Sequence, residues 1–332
     1  MRPTSPLSAP VAPGATAAPR REQLVDRLTW GLAVANLVAQ IGIIVTGGAV
    51  RLTGSGLGCS DWPMCEPGAF TPEFHAEMTF HPVIEFGNRT LTGVLGVIAL
   101  ALVWAVYRRQ PTASRPAALK RLSLLPLVGI AVQAVVGGIT VLVELHPAVV
   151  GSHMLISLLL VTVSTYLLVR LGSPDAPPRP VSSAAARTVG RLVVGVGVVL
   201  LVLGVVTTGA GPHSGDAELP YRWALDPAFI SRLHALAVWA FVVLVVVGMV
   251  LARRDRNAAA QRAWAVLLGV TLAQGVVGYV QYLTGLPELL VGVHMLGSAL
   301  TVVAIVYAVS ALSTRHSGAA PEGQLARALG GT

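Results

Sequence analysis

Eight apolar runs, each about twenty residues long or more, leave this 332-residue chain few ways to fold. They fall at about 28–50, 84–107, 122–143, 150–171, 192–210, 232–252, 263–284 and 290–312. A bilayer core is spanned by about 20 apolar residues of α-helix. In lipid only helices and closed barrels satisfy every backbone N–H and C=O. Charged residues make up 11% of the chain, against about a quarter in soluble domains. The expected fold is an all-α integral membrane protein with eight transmembrane helices.

Lys and Arg prefer cytoplasmic loops, so the basic residues orient the chain. The N-terminal tail, the loops after the even-numbered spans and the C-terminal tail hold 19 of the 23. The other side keeps Arg51, Arg89, Arg222 and Arg232, with ten of the fifteen acidic residues. Both termini are therefore expected in the cytoplasm, with the chain in the cell (plasma) membrane. The net charge of +8 splits into about +14 inside and −6 outside, so it reflects topology and the lipid bilayer and implies no nucleic-acid partner. Residues 1–27, rich in Pro and Ala and without the apolar core of a signal peptide, read as a disordered cytoplasmic tail.

An internal repeat organises the spans. Gln133-Ala-Val-Val-Gly-Gly138 recurs as Gln274-Gly-Val-Val-Gly-Tyr279, and Val150-Gly-Ser-His-Met-Leu155 as Val291-Gly-Val-His-Met-Leu296, both at an offset of 141. Polar Gln and His in register make chance similarity of Val/Gly-rich spans a poor explanation. Two pseudo-symmetric four-helix bundles are expected, residues 28–171 and 191–312. A Pro-rich cytoplasmic linker, 172–190, joins them, and 313–332 forms a second cytoplasmic tail. Four helices per half give both halves the same orientation, as in a parallel repeat.

Ionisable groups inside spans are costly and point to function. His153, His234 and His294 open the fourth, sixth and eighth spans at one depth, near the outer face. Two imidazoles facing each other in a helical bundle form a bis-His haem site, and His234 with His294 make such a pair. An isolated His would more often bond a neighbouring helix; a matched pair in a repeat reverses that preference. By alignment of Ile84–Arg89 with Ile230–Ala235, Asn88 stands where His234 stands, so the N-terminal half offers one good axial ligand, His153. His81 and His146, each followed by Pro, read as loop residues above the helices, and His213 as a hydrogen-bonding loop residue.

Glu85 lies one turn from Asn88, with Ser231 as its repeat equivalent, making the halves chemically unequal. A carboxylate beside a haem face can accept a proton or position a substrate group; the plainer alternative is a rim glutamate paired with Arg89 or Arg51. Arg51, Arg89 and Arg232 share the outer level and are candidates for haem propionates. Two cysteines, Cys59 and Cys65, exclude a thiolate cluster. On an oxidising face they are expected as a short-loop disulfide, either a staple or an exchanging pair.

These residues carry a resemblance. The segment Thr46–Cys65 (TGGAVRLTGSGLGCSDWPMC), Ile84–Arg89, Gly209–Asp216 and the two His-Met-Leu helices resemble the heme A synthase family over nearly all of 28–312. The resemblance implies an enzyme that oxidises the C8 methyl of heme O to the formyl group of heme A by successive hydroxylations, for cytochrome c oxidase. It also implies a resident heme b on His234 and His294, a substrate site near Glu85 and His153, and a heme O synthase as supplying partner. The family usually has a second His where this chain has Asn88. Cys59 and Cys65 match the family's first cysteine pair, and the second pair of some members is absent. Rival classes are a cytochrome b-type electron carrier, which would usually stack two haems at different depths, a haem-delivery module and a transporter.

Overall fold

A computed structural model describes residues 21–73, 79–216, 218 and 221–315. Eight of its helices are long and apolar enough to cross a membrane: α2 (Arg27–Leu52), α3 (His81–Arg108), α4 (Ala117–Leu142), α5 (Pro147–Leu171), α6 (Ala184–Ala210), α7 (Pro227–Arg254), α8 (Ala258–Leu283) and α9 (Glu288–Ser310). A single helical turn, α1 (Arg21–Leu24), precedes them, so the expected irregular tail lies outside the described residues only as far as residue 20. The protein is an all-α multi-pass membrane protein.

Most helices start several residues before the apolar run that announces them, and five of the eight spanning helices open on a side-chain cap. Ser183 accepts from Ala186 N at 3.2 Å and opens α6, while Asn257 accepts from Ala260 N at 3.0 Å and opens α8. Proline occupies the first turn of α3, α5 and α7, where no intrahelical N–H is required. Asp26 caps α2 through Leu28 N and Thr29 N and also takes Arg109 Nε at 2.9 Å, tying the start of α2 to the end of α3. Burial works against its charge, but the hydrogen bonds from the Thr29 hydroxyl, Arg109 and the Thr29 amide win and hold this carboxyl below its ordinary value of 3.8.

Consecutive helices α2 to α5 pack in turn and α5 returns to α2; α6 to α9 do the same, with α9 returning to α6. The two groups meet where α5 packs on α6 and α9, and α9 on α2. Half of the apolar window of α5 is buried, against 17% for α8, so α5 is a central helix and α8 faces lipid.

At the end holding residues 21 and 315, Arg115 is 7% exposed and donates to the Leu171, Arg170 and Ser173 carbonyls and to Asp175, closing the C-terminus of α5. Two short strands, β1 (Arg179–Pro180) and β2 (Ser313–Thr314), pair antiparallel there. The opposite, distal end carries a long first loop (53–80) and a third loop (211–226). They are joined by Gly56 N to Gly215 O at 2.9 Å and by Arg51, which donates to His213 O at 2.7 Å and Thr208 O at 3.1 Å.

Candidate functional site

The distal thirds of the helices gather the polar residues. His234 on α7 and His294 on α9 face each other with ring centroids 6.5 Å apart and planes at 72°. Each ring rests on a glycine of the preceding helix: a Cβ on Gly204 of α6 would lie 3.2 Å from His234 Cε1, and one on Gly278 of α8 3.3 Å from His294 Cε1. The pattern recurs in the other group. Gly137 of α4 stands in the same relation to His153 Cε1 at 3.3 Å, and Gly47 of α2 to Asn88 Nδ2 at 3.8 Å.

The glutamines that mark the repeat hold these histidines at a fixed height. Gln133 Nε2 donates to His153 O at 3.0 Å and to Ser157 Oγ at 2.5 Å. Gln274 Nε2 donates to His294 O at 2.9 Å, the same bond 141 residues later. Gly297, one turn after His294, leaves no room for a Cβ beside the Gln274 amide. Sequence reasoning saw the glutamines as markers only. The glycines were invisible among 35 in the chain.

The residues fit an axially ligated haem. Nδ1 of His153 and of His294 is buried without a hydrogen-bond partner, and the Leu200 carbonyl approaches His234 without good hydrogen-bond geometry. A ring separation of 6.5 Å is about what two imidazoles sharing one metal at roughly 2.0–2.1 Å from each nitrogen require. Among the described residues no three His, Cys, Asp or Glu gather as a bare-metal site would need. A pair of axial nitrogens is the donor set that a porphyrin completes.

Glu85 is 5% exposed and fully engaged. Its Oε1 takes both Nε (3.0 Å) and Nη2 (2.5 Å) of Arg89, one turn on, and its Oε2 takes Cys59 N at 2.8 Å. Arg89 Nη1 donates further to the Asp61 and Met64 carbonyls at 3.0 and 2.9 Å. Cys59 and Cys65 are joined as a disulfide, and both are buried. The short disulfide loop is therefore clamped onto α3 by an ion pair.

Of the three arginines expected at propionates, Arg51 and Arg89 are committed to loop carbonyls, and Arg232 is exposed on α7 without a hydrogen-bond or ion-pair partner among the described residues. Asn88 is held by Thr46, whose hydroxyl donates to Oδ1 at 2.8 Å. His81 corrects an expectation: it is the first residue of α3, its Nδ1 2.8 Å from Ser55 Oγ, because Pro82 fits the first turn instead of preventing it. His146 stays outside the helix as the cap of α5, accepting from Ala148 N. His213 is a loop residue with Nε2 2.9 Å from Leu286 O.

Known proteins resemble this chain over most of its length. The family model described as cytochrome oxidase assembly protein matches residues 29–306. A protein named heme A synthase from Symbiobacterium thermophilum is 28% identical over 280 residues, 78% of this chain and 88% of its own length. One of the same name from Shewanella oneidensis is 31% identical over 53% of this chain and 56% of its own length, and one from Bacillus licheniformis is 26% identical over 56% and 59%. With distal histidines, clamped glutamate and first-loop cysteines embedded in a match that runs through all eight spans, the chain belongs to the COX15-CtaA family of cytochrome oxidase assembly proteins.

Proposed function

We propose that this chain is a heme A synthase, which oxidises the C8 methyl of heme O to a formyl group by two hydroxylations, the second yielding a hydrate that loses water. The product serves cytochrome c oxidase, and a heme O synthase supplies the substrate. The observation that carries the proposal is the pair of facing imidazoles, each backed by a glycine, in a chain of this family.

His234 and His294 would hold a heme b as resident cofactor in the 191–312 half. When bound, it supplies one-electron transfer. Gln274 sets the height of His294, Gly204 and Gly278 leave room for the rings, and Arg232, exposed and without a partner among the described residues, can meet a propionate. The 28–171 half takes heme O as substrate, with His153 as its axial donor. Asn88 offers an amide where the other half has a histidine. An amide is a poor iron ligand, which suits an occupant that must leave as product.

Glu85 sits three residues before Asn88, on the same face of α3. Arg89 on Oε1 and the Cys59 N–H on Oε2 fix this carboxylate in place, as the group that accepts a proton released when the methyl is oxidised. The skewed Lys/Arg distribution supports a plasma-membrane chain with both termini in the cytoplasm and the two haem sites near the outer face.

The test is coexpression with a heme O synthase in cells that make no heme A, followed by haem extraction and chromatography with mass detection. Heme A or its hydroxylated precursor is the expected product. Heme B alone on a folded protein, with heme O present, would refute the synthase assignment in favour of an electron carrier or delivery module.

A further inference from the structure

The six-residue repeat of α4 and α8 differs at Ala134 against Gly275 and at its last position, Gly138 against Tyr279, and a loop residue uses the last of these breaks. The indole of Trp62, from the disulfide loop, lies so close over Gly138 that no Cβ could be accommodated there. Gly137, the adjoining residue, is the one that backs His153. Trp62 therefore sits against α4, one residue from the glycine that backs His153, while its own loop stands on α3. There Cys59 N donates to Glu85, and Arg89 Nη1 reaches the Asp61 and Met64 carbonyls on either side of the indole. Glu85 and Arg89 flank Asn88 in sequence, so the loop spans from the Asn88 helix to the helix that backs His153.

Among the described residues the other group shows no such cover. Tyr279 fills the position of Gly138, is half exposed, and accepts from Trp239 Nε1 at 3.2 Å. The tryptophan of the third distal loop, Trp223, packs on Gly209 and Pro147 instead.

We propose that Trp62 is the distal wall of the substrate site, an aromatic plate that contacts the porphyrin bound between His153 and Asn88 and slows its escape. The inference rests on the assignment of that site to heme O. Trp62 is half buried, so the indole keeps surface to offer beyond its seat on Gly138. Its ring adds apolar area and stacking to an occupant whose axial ligation is weak on the Asn88 side. Three hydrogen bonds and a disulfide hold the loop, so the indole is positioned before the substrate arrives. The Gly138/Tyr279 difference confines this wall to one site.

The test loads purified full-length protein with heme O and follows its transfer to apomyoglobin by the Soret band. Trp62→Ala and Gly138→Ala, one removing the ring and the other its seat, are expected to speed transfer about tenfold, the equivalent of 1.4 kcal/mol, with Trp62→Phe staying near wild type. The low-spin spectrum of the His234/His294 haem, unchanged in all three, reports that each variant is folded. Transfer from Trp62→Ala at the wild-type rate, with uptake still dependent on His153, would overturn the role of Trp62 alone. Uptake of heme O that is the same in His153→Ala as in wild type would overturn the site assignment itself.

Discussion

A single hydrogen bond sets the height of His294, and it can be removed from either side. Gln274→Leu deletes the donor to the His294 carbonyl, 2.9 Å away. Gly297→Ala leaves the glutamine in place but puts a methyl where its amide lies, so the flexible end of the side chain must swing off the carbonyl. Neither change touches the imidazole. A hydrogen bond of this kind is worth about 0.5–1.5 kcal/mol in proteins and about 0.6 kcal/mol between membrane helices. Each single variant should therefore release heme b about three- to tenfold faster. Because both act on one bond, the double variant should be no worse than the poorer single, a coupling energy of about 1 kcal/mol. The assay is the rate of heme b loss from detergent-solubilised protein to a haem-scavenging globin, with the four proteins of the cycle side by side. Strictly additive losses, or wild-type retention in both singles, would refute the idea that Gln274 fixes the ligand.

Three further outcomes follow from contacts elsewhere. His234→Ala should lose the stable b-type haem, whereas Glu85→Ala should keep it and stop heme A formation; full heme A output from Glu85→Ala, measured by haem extraction, would remove Glu85 from the chemistry. Asp26→Ala should cost about 1 kcal/mol as a lost helix cap. Since its folded pKa lies below the ordinary value of 3.8, the difference from wild type should be full above that pH and fade as pH falls through the lower folded value, checked by thermal unfolding in detergent across pH. Arg115→Leu removes the donor to four carbonyls and leaves Asp175 with Arg170 alone, and should destabilise the protein by about 1–3 kcal/mol, read as a lowered unfolding temperature.

The eight spans were legible because lipid demands long apolar runs, and that signal survives any tertiary context. Their ends were not: Arg187 and Arg191 interrupt the hydropathy at the start of α6, yet a capped helix runs through them once Ser183 closes its first turn. The paired histidines stood out because ionisable groups in spans are rare. Their supports, Gln133, Gln274 and the backing glycines, depend on which helices become neighbours, and sequence periodicity does not encode that. Likewise the Glu85–Arg89 pair follows from one-turn spacing, whereas the Cys59 amide that completes it comes from 26 residues away.

The backbone bond between Gly56 and Gly215, together with Arg51 reaching His213 and Thr208, has a consequence for chimeras. Segments about 160 residues apart share one seam, and a graft of the first loop from a homologue would have to meet both the Gly215 carbonyl and an Arg51, at the end of α2, already committed to His213 and Thr208. The unit that recombination or an engineer can exchange is the pair of loops, moved together. Relatives that differ in only one of them are the places to look for compensating changes in the other.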